Sequence, residues 1–172
     1  MTERRETYVV EPAHMAAFGS IVQHFARHEY LMQGIMCAML KVPLSNVAMM
    51  TSGLGYAGKR DALRSLLRDV EIAGNLRERI VWFMGELHKH NQLRNHVAHS
   101  MWKEGTRPGS IKPIGADPRG GDAKYLGLDP SEKDYLLVEL IEIADELGHN
   151  LRKFMIFLDG VGLMLPKHPA EN

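Results

Sequence analysis

The sequence predicts an all-α fold, a bundle of four to five helices with an irregular insert before the last one. Three observations carry that prediction. Apolar residues recur at three- and four-residue steps over three long segments. Glycine and proline gather at the junctions and in one stretch, residues 103–130. Hydrophobic residues make up 45% and charged residues 24%, the composition of a globular domain with an ample core. The chain reads as one domain, 1–172, with a core over about 13–160.

The first helix is expected over about 13–40. Met15, Phe18, Val22, Phe25, Met32, Met36 and Met39 mark its apolar face, Pro12 suits its first turn and Pro43 forbids its continuation. Ser45 or Asn46 would cap a short helix over 47–51, which Ser52-Gly53-Leu54-Gly55 interrupts. Helix resumes over 61–72, and Gly74-Asn75 reads as a turn. A third long helix is expected over 76–100. Ile80, Met84, Leu87, Ala98 and Met101 line one face, with Trp82 and Phe83 beside it.

Residues 103–130 hold six glycines and four prolines, so helix is excluded there, while short strands fit 110–114 and 124–128. Ser131 is the expected cap of a last helix that Gly160 ends. Leu136, Leu137, Leu140, Ile143, Ala144, Leu147, Leu151, Phe154, Met155 and Leu158 would be its buried face.

Formal net charge is zero, which argues against a high-affinity duplex binder. Charge is uneven, however. Residues 76–102 carry four Lys/Arg against two Glu, and residues 131–160 seven acids against three bases. The single cysteine, Cys37, sits in an apolar run and excludes an intrachain disulfide. No apolar run reaches the roughly 18–20 residues that span a bilayer, and the charged first twelve residues lack a signal-peptide pattern. A reducing cytoplasm and no membrane association are expected.

The chemistry concentrates in Leu93-Arg94-Asn95-His96-Val97-Ala98-His99, followed by Trp102. Arginine is a fixed cation suited to phosphate, and histidine changes charge near neutral pH. At 100° per residue Arg94 and His99 stand about 140° apart, while Asn95 and His99 share a flank. Arg94 falls on the apolar stripe and therefore needs a partner. Glu29, centred on the first helix's apolar face, is a candidate partner for Arg94 or His99. The alternatives are a local base for Glu29, or a place on the rim. His24 and His28 have a spacing that can hold zinc on one helix face, but neither has a cysteine or a His-Glu-x-x-His pattern beside it, and no metal site is expected. The methionines read as core filler, and Gly53-Leu54-Gly55 is too short for a phosphate loop.

The Arg-Asn-x3-His run and the order of helices around it resemble the HEPN superfamily, over most of the chain. That resemblance implies a metal-independent endoribonuclease, without cofactor, acting on RNA as a homodimer in which two motifs border one cleft. Arg94 would then hold the scissile phosphate, His99 serve as general acid or base, and Asn95 orient the pair, with Glu29, His96 and Trp102 in support. The product would be a 2′,3′-cyclic phosphate, and a toxin or defence factor would be a fitting role. HEPN-like proteins also include inert modules that bind a nucleotide, RNA, an antitoxin or another protein partner, which is the competing expectation. Lys103, Arg107, Lys112, Arg119 and Lys124 offer a basic lip on the insert, or only a solvated loop.

Overall fold

A computed structural model describes residues 10–114, 133–161 and 163. Among them the elements run α1 (Pro12–Leu40), α2 (Leu44–Thr51), α3 (Tyr56–Asp69), α4 (Gly74–Lys89), α5 (Asn91–His99), β1 (Met101–Glu104), β2 (Ser110–Ile114), β3 (Tyr135–Leu136) and α6 (Leu137–Gly160). The fold is mainly helical, with a small antiparallel sheet in the order β1-β2-β3. Two units divide it. One holds residues 1–23 and 90–146, the other 24–89 and 147–172, so α1 and α6 each contribute to both.

The two long helices follow a tighter apolar repeat than the sequence reading assigned. In α1 one buried stripe is His14, Phe18, Ile21, Phe25, His28, Met32 and Ile35, alternating steps of four and three, with Ala17, Leu31, Met36 and Cys37 buried beside it. Met15 and Val22, expected inside, are exposed. Phe18, Phe25, Met32 and Met36 are buried as expected, His14 and Ile21 hold the places expected for Met15 and Val22, and His28 completes the stripe. In α6 the stripe is Leu140, Ala144, Leu147, Leu151, Phe154 and Leu158, and Met155 is exposed rather than buried. Both stripes have the 4-3 spacing that keeps one face of a long helix on the core.

In the second unit, α1 ends at Leu40. Lys41 adopts a left-handed φ of 55°, and the Val42 N–H reaches back to the Cys37 carbonyl at 3.3 Å. That is a helix-ending loop in which a non-glycine residue accepts the strained position. Pro43 follows in extended conformation and sits at the N-cap of α2. The helix therefore starts at Leu44 as soon as proline is passed, and Ser45 and Asn46 lie inside it instead of capping it. Likewise Gly74-Asn75 opens α4 and is not a separate turn: Ala73 accepts the N–H groups of Leu76 and Arg77. The core of this unit stacks aromatic rings. Phe83 lies on Phe154 with centroids 4.1 Å apart and planes 10° apart, and His28 lies on Phe83 at 5.1 Å. Tyr56 meets Phe25 edge-on at 5.7 Å and donates its hydroxyl to the Met84 carbonyl at 3.0 Å. A Cβ at Gly148 would stand 2.9 Å from the His24 ring, so the glycine lets α6 and α1 approach there.

The expected helix over 76–100 is broken in two. Helix α4 stops at Lys89, and His90 (φ −102°, ψ 3°) stands between it and α5. Ala98 and Met101, expected to extend the α4 stripe, are exposed as a result. From Lys103 up to Ile114 the insert is the greater part of a β-hairpin, and the strand expected at 110–114 is its β2. Trp102 pairs with Pro113 and Glu104 with Ile111, while Ile111 pairs onward with Tyr135. The last helix starts at Leu137 because Tyr135 and Leu136 are taken by the sheet. The expected strand at 124–128 and the expected cap Ser131 lie outside the described residues.

Candidate functional site

Helix α5 carries the motif, and what surrounds it explains why it stops there. The Arg94 N–H bonds the His90 carbonyl at 3.0 Å, which restarts the helix across the break. Leu93 is buried to 4% exposure and anchors the short helix. At the far end the Ser100 N–H closes on the His96 carbonyl at 2.8 Å, its ψ of 151° turns the chain extended, and its hydroxyl lies 3.3 Å from His96 Nδ1. Strand β1 follows at once. His99 is thus the last helical residue, at the negative end of the helix dipole.

Arg94 is half-buried and its Nε is buried, as a place on the apolar stripe requires. Asn95 and His99 are exposed, one turn apart on one flank, and His96 is half-buried. The arrangement is a cation held against the protein beside an accessible amide and imidazole. His90 at the start of α5 has Nε2 3.4 Å from Glu146 Oε2.

The supporting residues take different roles. Glu29 forms an ion pair with Lys59 at 2.6 Å, both side chains mostly buried, which is the local alternative for Glu29. Trp102 packs on Phe18 with centroids 4.7 Å apart and meets Tyr135 at 67°, so it pins the strand that follows the motif. In place of a zinc arrangement, His28 Nδ1 lies 2.7 Å from the His24 carbonyl. Among the described residues no three His, Cys, Asp or Glu side chains are grouped to hold a metal ion.

The hairpin after the motif is locked by a charged cluster that the sequence reading did not single out. Asp134 Oδ2 accepts the Thr106 hydroxyl at 2.5 Å, the Thr106 N–H, the Arg107 N–H at 3.1 Å and the Ser110 hydroxyl at 3.2 Å. Those donors, the Thr106 hydroxyl foremost, hold the carboxyl down to about 2. Arg107 grips Glu139 with a two-pronged contact, 2.9 and 2.7 Å, and donates to the Asp134 carbonyl at 2.6 Å. Glu139 also accepts the Leu136 N–H at 2.8 Å. The Arg107 contact and then that N–H hold its carboxyl down to about 2. Arg107 is therefore a structural clamp and not a member of a basic lip. Of the other lip residues, Lys103 and Lys112 face each other across β1 and β2, and Arg119 and Lys124 lie outside the described residues. Pro108-Gly109 was the available signal: Arg107 to Ser110 is a β-turn with proline then glycine at φ 73°, closed by the Ser110 N–H on the Arg107 carbonyl at 3.0 Å.

Among the described residues no helix is long and apolar enough to cross a membrane. No protein-family model, curated protein or solved structure matches the chain.

Proposed function

We propose that the chain is an HEPN-like, metal-independent endoribonuclease that works as a homodimer. The observation that carries the reading is the end of α5: a half-buried Arg94 beside an exposed Asn95 and an exposed His99, on the last turns of a helix closed by a β-hairpin. In this reading Arg94 binds the phosphate between two nucleotides. The imidazole of His99 removes the proton of the ribose 2′-OH, and that oxygen attacks the adjacent phosphorus. The bond from phosphorus to the 5′ oxygen breaks, and the leaving oxygen takes a proton from the imidazole of the second copy. The products are a 2′,3′-cyclic phosphate and a 5′-OH. General acid–base assistance contributes roughly 10²–10⁴-fold, and a cation fixed on the phosphate stabilises the charge that builds up on it. Met101, 76% exposed two residues past His99, is an apolar side chain that a second copy would cover.

The test is cleavage of end-labelled mixed RNA in EDTA by wild type, Arg94→Ala and His99→Ala. The expected result is cyclic-phosphate ends from wild type and a loss of roughly 10²-fold or more in each variant with the fold intact. No cleavage by folded wild type on several RNAs would overturn the enzyme reading. The second reading, an HEPN-like module that binds without cutting, is favoured by the zero net charge. In that case RNA raises the melting temperature and stays whole.

A further inference from the structure

Helix α3 turns Tyr56, Leu63 and Leu67 to the core. On its outer side Arg60, Arg64 and Arg68 stand four residues apart, so they form a row that advances about 6 Å at each step. Lys59 lies off the row and is spent on Glu29. Arg64 and Arg68 are exposed, and among the described residues neither has an acid for a partner; Arg68 donates to the Ser65 hydroxyl at 3.1 Å. Arg60 is held in place. It donates from Nε and one Nη to Asp61 at 3.1 and 3.0 Å, its other Nη lies 3.1 Å from His88 Nδ1, and its guanidinium stands 6.0 Å from the centroid of the Tyr56 ring. A guanidinium only donates, so His88 Nδ1 accepts and the proton of the neutral ring is on Nε2. The exposed His88 therefore offers a further N–H at the near end of the row. Arg60 and Arg64 both act on the Tyr56 phenol, lowering it against the rise that burial causes, so the row starts on the side of α3 that meets α4.

The charge of this row selects its partner. Cations repeated at one-turn intervals suit a chain whose negative charges also repeat, and a phosphodiester strand carries one on every nucleotide. The arginine fork matches phosphate oxygens with two N–H groups. A helix lying on a membrane would set large apolar side chains among its cations. Ala57 and Asp61 are the other exposed residues on this side of α3, and neither is such a group. We infer that α3 docks the backbone of a single-stranded RNA, with successive phosphates on Arg64 and Arg68 and the strand passing His88 at the near end. Asp61 offsets the charge of Arg60, so the grip comes from Arg64 and Arg68. Contacts to phosphate position a strand without reading its bases, and binding here is independent of sequence. A single row fits one strand, in keeping with a zero net charge that argues against a duplex. The choice of RNA among phosphodiesters rests on the ribonuclease reading, and the docking of an anionic strand does not.

The test separates docking from cleavage. Binding of the full chain to uncleavable 2′-O-methyl oligoribonucleotides of two different sequences is followed by fluorescence anisotropy over a range of salt concentrations. Wild type should bind both alike. Arg64→Gln/Arg68→Gln, at exposed positions, should keep its melting temperature and bind both more weakly. Its slope of log affinity against log salt should be shallower by about 1.4, the effect of two phosphate contacts on a single strand at about 0.7 each. Arg64→Lys/Arg68→Lys, which keeps the charge, should recover most of that slope. Arg152→Gln/Lys153→Gln removes the same charge from exposed positions on α6 and should leave the slope close to wild type. An unchanged slope in the α3 variant would overturn the site, as would an equal loss from the α6 variant, which would mean attraction by overall charge alone. An oligoglutamate that displaces the RNA as strongly as an RNA of equal charge would reassign the row to an acidic protein partner. A wild type that binds in this way and cuts no RNA removes the ribonuclease and keeps the row. One that cuts while the α3 variant binds unchanged removes the row alone.

Discussion

Single atoms decide more here than residue classes do. Gly105 is the clearest case. A Cβ there would fall 2.2 Å from the Ser110 hydroxyl and 2.8 Å from the Asp134 carboxylate, the two groups that tie the hairpin to residue 134. Gly105→Ala is expected to destabilise the protein by about 1–3 kcal/mol, the usual cost of overpacking. Chemical denaturation measures it, and an unchanged midpoint would show that the cluster is slack. The same cluster makes stability depend on acid. The Asp134 carboxyl is held down to about 2 in the folded chain, below its ordinary 3.8. The folded value is depressed, so its stabilisation is complete above pH 4 and fades as pH falls toward 2. The denaturation midpoint of wild type should fall across that window, and Asp134→Ala should flatten part of the fall. Part should remain in that variant, since Glu139 is depressed to about 2 as well. His14 and His28 show why the residue scale was only partly legible. Counting histidine as polar hid both from a stripe whose Phe18, Phe25, Met32 and Met36 were read correctly, and left Met15 in the place that His14 holds. Burial of each ring is matched to a local backbone bond, Glu11 N–H to His14 Nδ1 and His28 Nδ1 to the His24 carbonyl. Periodicity does not register such bonds.

Elements were legible where one long period dominates and not where a local geometry overrides it. The limits of α1 and the end of α6 follow from Pro12, Pro43 and Gly160, and the structure has them at Pro12–Leu40 and at Gly160. The break between α4 and α5 has no such marker, because residues 88–92 contain neither glycine nor proline. It left the motif residues correctly on a helix, but on a short one of their own, and Ala98 there is exposed. Half of the hairpin was legible: the strand at 110–114 is β2, whereas β1 at Met101–Glu104 was hidden because Met101 was read as the end of a helix and Pro108-Gly109 was not read as one turn. Tyr56 joins elements in the other unit, donating from α3 to the Met84 carbonyl of α4 at 3.0 Å. Burial raises its phenol to about 12. Since the folded value lies above the unfolded value of 10.0, the stabilisation is whole below pH 10 and disappears as pH rises through 12. Tyr56→Phe should cost about 1 kcal/mol near neutral pH and be less sensitive than wild type to alkali. A variant that unfolds along the wild-type curve between pH 10 and 12 would assign the alkaline transition to another group.

At the scale of the whole molecule, the proposed reaction asks for more than one chain supplies. A single α5 offers one imidazole, and phosphodiester transfer by this route needs a proton taken at the 2′ oxygen and another given at the 5′ oxygen. Asn95 and His99 share a flank while Arg94 lies about 140° from His99, so a second copy completes the set more readily than a distortion of the helix does. Two measurements follow. Light scattering at micromolar concentration should give a dimer, and a monomer there would remove the shared cleft. Wild type mixed with an excess of His99→Ala and allowed to exchange chains should then lose activity as mixed dimers form, because each mixed cleft holds one imidazole where the reaction asks for two. A fall in activity per wild-type chain would show that the cleft is composite. Activity per wild-type chain that stays unchanged on exchange would mean that each chain works with its own His99, and the helix end itself would have to supply both proton transfers.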